Sequence, residues 1–197
     1  MDKLVLAFEL FDTYNKKDPR SFEWEGTTYP QEYFFAIKLH QWVLKLAPDA
    51  SEELLLASRS QHIGRWEIPR DSYAEGREPY LQWRKDLARH HAIVTGKLMK
   101  EAGYSDEQVE RVSQIVLKKR IKVDADVQTM ENALCLVFLQ YQYEEFKEKH
   151  TNEPDKIINI LRKSLLKMDS YGHSFALTLT YTPQGLKLIE AALKSNP

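Results

Sequence analysis

Between Ser58 and His91 the chain reads SRSQHIGRWEIPRDSYAEGREPYLQWRKDLARHH, and this stretch concentrates the side chains that could do chemistry. Six of the ten arginines (Arg59, Arg65, Arg70, Arg77, Arg84, Arg89), three of the six histidines (His62, His90, His91) and two of the four tryptophans (Trp66, Trp83) fall within it. Arginine presents a planar fork of donors matched to carboxylate or phosphate, and tryptophan a large flat face, so the combination suits an anionic ligand carrying a planar group. Arg59, Arg65, Arg70, Arg84 and Trp66 are the candidate binding residues, with Gln61 and Glu67 as candidate catalytic residues, Glu67 relaying protons. The alternative is a salt-bridged surface loop in which the arginines pair with Glu67, Asp71, Glu75, Glu78 and Asp86. Isolated surface pairs, however, stabilise little and seldom demand arginine over lysine.

Imidazole is the second chemical resource. His40 lies three residues after Ile37 and four before Leu44; His91 lies four after Leu87 and three before Val94; Glu131 lies four after Val127 and three before Leu134. These are core-facing positions at helical spacing, and His62 reaches the same side by continuing the apolar face of Leu54, Leu55, Ala57 and Ser58. His90 points elsewhere. Neutral imidazoles with a carboxylate suit a divalent transition metal such as zinc, iron or manganese, which lowers the pKa of a bound water toward ~7. The alternative is a neutral polar core in which each buried group is hydrogen-bonded.

The elements that must position these residues are helices. Leu4, Ala7, Phe8, Phe11 and Tyr14 predict a first helix, closed by Asp18-Pro19 before a FEWEGTTYP loop. Tyr33, Phe34, Ile37, Leu44 and Ala47 predict a second, starting at Gln31. Ser51 followed by Glu52 and Glu53 caps a third. Residues 65–79, with Pro69, Gly76 and Pro79, form an ordered loop, and a long helix then runs from Pro79 to about Ala102. Ser105 to Gln108 is a capping box for the next helix. The LKKRIK run at 117–122 is a solvated helix end. Further helices start near Asp126, at Asn152 to Pro154 (ending near Gly172) and at Thr182-Pro183, and FALTLTYT is compatible with a short strand. The sum is one all-α domain of seven or eight helices.

Composition narrows the function classes. The 197 residues carry a formal net charge of −1, so there is no global basic field to attract nucleic acid, and any anion site must be local. Cys135 is the only cysteine and reads as a buried thiol, which excludes an intramolecular disulfide and a multi-cysteine metal cage. No apolar run approaches the ~20 residues of a membrane span, and the amino terminus lacks a cleavage signature, so a cytoplasmic location is expected.

The words QHIGRWEIPR, YLQWRKDL, FLQY and DKIINILRKSLLKM resemble the family called domain of unknown function 4202, a likeness that covers most of the chain and implies no known activity. More distantly, His40, then Gln61-His62-Ile63-Gly64, then His91 and later Glu131-Asn132 resemble the order of landmarks in HD-domain metal phosphohydrolases over about residues 31–145, with 151–197 as a helical extension. That resemblance implies an HD-like helical domain in which His40, His62, His91 and Glu131 hold a metal. The family's His-Asp pair is replaced here by Gln61-His62. Two functions are expected from it: metal-dependent hydrolysis of a small phosphorylated or nucleotide-like substrate, or a non-catalytic module that binds an anionic metabolite or a partner's acidic segment.

Overall fold

Asp2 accepts the Leu4 amide and starts α1 (Lys3–Asn15), which buries Ala7 and Phe11. The computed structural model describes residues 2–194. The FEWEGTTYP stretch is not a loop but an antiparallel hairpin, β1 (Ser21–Trp24) with β2 (Thr27–Pro30), Phe22 facing Tyr29. Glu25 and Gly26 both have positive φ (50° and 75°), the two-residue turn whose twist matches paired strands. Phe22 then packs on Phe34 and Phe35 at 4.8 Å each.

Helix α2 (Gln31–Leu46) buries Glu32, Phe34, Phe35, Leu39, Trp42, Val43 and Leu46. The stripe read from spacing is displaced from this face, for Leu44 is 42% exposed and His40 only half-buried. Apolar residues occur all around α2, so periodicity alone could not choose the line. Ser51 caps α3 (Glu52–Ser60), and the chain then turns through Gln61–Gly64 into two short 3-10 turns, at Arg65–Glu67 and Arg70–Ser72. The long helix α4 (Arg77–Glu101) starts two residues before Pro79 and buries Trp83, Leu87, His91, Val94 and Leu98. The capping box at Ser105 and Gln108 opens α5 (Asp106–Val116) as expected.

The described chain divides into two compact units, one up to Lys119 and one from Arg120 onward, a boundary that no composition shift marks. The second unit holds α6 (Ala125–Tyr141, capped by Asp124), α7 (Tyr143–Lys149), α8 (Pro154–Leu165), α9 (Ser170–Ala176) and α10 (Pro183–Lys194). Cys135 is buried and unoxidised, its thiol donating to the Ser164 carbonyl. FALTLTYT forms no strand; its first residues close α9 and the rest turn. Gly172 does not end α8 but sits inside α9, where a Cβ would come within 2.6 Å of Asn132 Oδ1.

Ten α-helices and one small hairpin make the described chain all-α in class. The count exceeds seven or eight because α7 and α9, at seven residues each, are too short to show a period. Among the described residues no helix is long and apolar enough to cross a membrane.

Candidate functional site: a histidine-lined cavity

The turn after α3 sets the site. Gly64 has φ 69°, and a Cβ there would lie 2.8 Å from His90 Nε2 and 3.1 Å from Glu67 Oε2, so glycine alone lets the chain reverse against α4. This reversal buries Ile63 completely and aims its carbonyl at His91, whose Nδ1 donates to it at 2.6 Å. A carbonyl can only accept. The His91 proton is therefore on Nδ1, and Nε2 keeps its lone pair, buried and without a hydrogen-bond partner. Gln61 is fixed from the other side, its amide donating to the Val116 carbonyl at the end of α5 (2.9 Å) while its Oε1 has no partner.

Between α3, α4 and the end of α5 lies a cavity of ≈ 390 Å³, lined by Gln61, His62, Arg65, Tyr80, Trp83, Arg84, Leu87, Ala88, His91, Val116, Leu117 and Lys118. The His62 and His91 rings are 5.7 Å apart. Both are held neutral. Burial pushes His91 down to about 3 against the opposing Ile63 hydrogen bond, with Arg65 and Lys118 adding to the effect. His62 is held well below its ordinary value by burial first, then by Arg65, His91, Lys118 and Arg84. Arg65 lies over the Trp83 ring at 5.6 Å and 3.8 Å from Glu32, and Arg84 lies 6.0 Å from the Tyr80 ring. Among the described residues no Asp or Glu lines this cavity.

Several expected site residues are occupied elsewhere. Ser58 Oγ gives its proton to the Leu55 carbonyl (2.7 Å), so His40 Nδ1 must donate to Ser58 Oγ at 2.8 Å; the ring meets Phe8 edge-on and does not line the cavity. Burial lowers His40 to about 4. Arg59 forms a two-point pair with Asp12 (2.8 and 2.7 Å). The Arg70 fork is spent on the Tyr73 and Ala74 carbonyls of its own loop. Glu67 accepts from Tyr14 at 2.8 Å and contacts His90 at 2.7 Å. Trp66 packs on Tyr14 and lines a neighbouring groove. Glu131 is buried on α6, in the second unit.

Of the three histidines only His62 and His91 share a cavity, without a carboxylate, and among the described residues no group of three or more His, Cys, Asp or Glu could hold an ion. The residue missed in the sequence is Lys118. The basic run 117–122 predicts a solvated helix end, whereas the end of α5 turns Lys118 into the cavity wall at φ 56°.

The model of the family described as domain of unknown function DUF4202 matches residues 6–189, and the chain belongs to that family. No curated protein and no solved structure matches the chain.

Proposed function

We propose that the histidine-lined cavity binds a small phosphorylated ligand. The observation that carries this reading is the lining itself: Arg65, Arg84 and Lys118 surround one cavity with two neutral imidazoles and, among the described residues, no carboxylate. Three cations around one cavity make it electropositive, and their effect is already felt in the depressed basicity of His62 and His91. A phosphate offsets that charge and gives each donor an oxygen. The Nε2 lone pair of His91 then accepts from a ligand hydroxyl, as a neutral imidazole with its other nitrogen committed can.

Isothermal titration of the purified chain against sugar phosphates and inorganic phosphate tests this. The expected result is binding that Arg84→Ala abolishes in a folded variant. Undiminished binding in that variant, or no binding of any phosphorylated compound, overturns it.

Hydrolysis at the same site is the second reading, favoured by the uncommitted lone pair of His91 and by the likeness to HD hydrolases. With a pKa of about 3, His91 is a weak base before a ligand enters, and a bound anion raises its basicity. If a metal ion takes part, His62 and His91 are the imidazole donors that the cavity offers it. Stoichiometric zinc, iron or manganese in the purified chain, lost in His62→Ala and His91→Ala but kept in His90→Ala, together with phosphate release, would favour hydrolysis over simple binding.

A further inference from the structure

A second, more open groove of ≈ 750 Å³ lies beside the histidine cavity and shares two of its wall residues, Arg65 and Trp83. Trp66 and Trp83 give it an aromatic lining, with Arg20 and Arg70 as cations and Asp71 and Glu75 as hydrogen-bond acceptors along it. The groove is also built to stay open. The Trp83 indole donates to the Ile68 carbonyl (2.9 Å), tying the loop to α4, and the Arg70 fork holds the same loop in shape through the Tyr73 and Ala74 carbonyls (2.9 and 3.0 Å). A loop pinned at two points beside the half-buried Trp66 presents a preformed site rather than a collapsing one. Its volume, like that of the cavity, lies within the range of small-ligand sites, and the two spaces are neighbours that share the wall of Arg65 and Trp83.

We infer that the ligand is a nucleoside phosphate: its phosphate enters the histidine cavity, its base lies in the groove against Trp66, and Arg65 with Trp83 forms the wall over which it bends. This rests on the phosphate reading of the cavity and adds the ring. Aromatic stacking accepts any base face, while Asp71 and Glu75 favour a base that carries an amino group.

The test compares adenosine 5′-monophosphate with ribose 5-phosphate by titration calorimetry on the intact chain. The two share phosphate and pentose and differ in the base. The nucleotide binds more tightly by roughly 5- to 150-fold, the equivalent of stacking one base on an aromatic ring. Trp66→Ala brings the nucleotide close to the ribose 5-phosphate affinity, whereas Trp66→Phe keeps most of the difference; circular dichroism establishes that both variants fold, since Trp66 also packs on Tyr14. Equal affinity of the wild-type chain for the two probes overturns the base assignment and leaves the phosphate cavity standing. Failure of both probes to bind overturns the cavity reading itself. The wild-type comparison decides between these results even if the Trp66 variants do not fold.

Discussion

The arginines between residues 58 and 91 divide into those held by partners within the fold and those that line the cavity. Arg59 is held by Asp12 with both side chains largely buried, and Arg70 is committed to two backbone carbonyls, while Arg65 and Arg84 line the cavity. Arg59→Lys should therefore lower stability by about 1–3 kcal/mol, through loss of one of two charge-assisted bonds, and leave affinity for a phosphorylated probe unchanged. Arg84→Lys should do the opposite, weakening the probe by roughly 5-fold or more at unchanged unfolding midpoint. Denaturant titration and calorimetry on the two variants check both halves.

His91 makes a second prediction at this scale. Its folded pKa is depressed to about 3 from an ordinary 6.5, so between those values the unfolded chain binds the extra proton and stability falls as pH is lowered from about 6.5 toward 3. Each unit of depression corresponds to about 1.4 kcal/mol. His91→Asn keeps a donor where Nδ1 stood but cannot titrate. Its stability should change less over that window, as read from urea midpoints at a series of pH values; an unchanged slope would show that other groups, such as His40 and His62, account for the acid sensitivity.

At the scale of elements, the turn between α3 and α4 is where the site is made. Gly26 and Gly64 both have positive φ, but an added Cβ meets nothing within 4 Å at Gly26 and collides with the His90–Glu67 pair at Gly64. Gly26→Ala should cost about 1 kcal/mol, the left-handed strain alone. Gly64→Ala should cost at least about 1 kcal/mol more and should also weaken probe binding, because the reversal that aims the Ile63 carbonyl at His91 is disturbed. Equal losses at the two positions would remove Gly64 from the account of the site. The same scale explains the misread hairpin: Glu25-Gly26 supplies its turn, and its aromatic positions Phe22 and Trp24 do alternate, but each strand has only four residues.

For the whole molecule, charge is the governing quantity. The formal net charge of −1 gives no long-range attraction to a polyanion, and the cations that matter sit around a cavity too small for a duplex. Fluorescence anisotropy with labelled duplex DNA and RNA should show no micromolar complex at physiological salt. A tight complex whose affinity falls steeply with added salt would contradict the proposal that these arginines and Lys118 serve a small ligand.

The sequence by itself determined the helical class, the capping residues Ser51 and Ser105, the inward direction of His91 and the different direction of His90. Each follows from local geometry, because a cap reaches two or three residues and a helix repeats every 3.6. Which face of α2 is buried, where Arg59 spends its fork, and whether His40 meets His62 were decided by partners 12 to 47 residues away or by a turn at a single glycine. Only the tertiary structure selected His62 and His91 from the expected ligands and brought Lys118 to them. Local periodicity gives a side chain's direction from its own axis and does not give the point in space at which several axes converge.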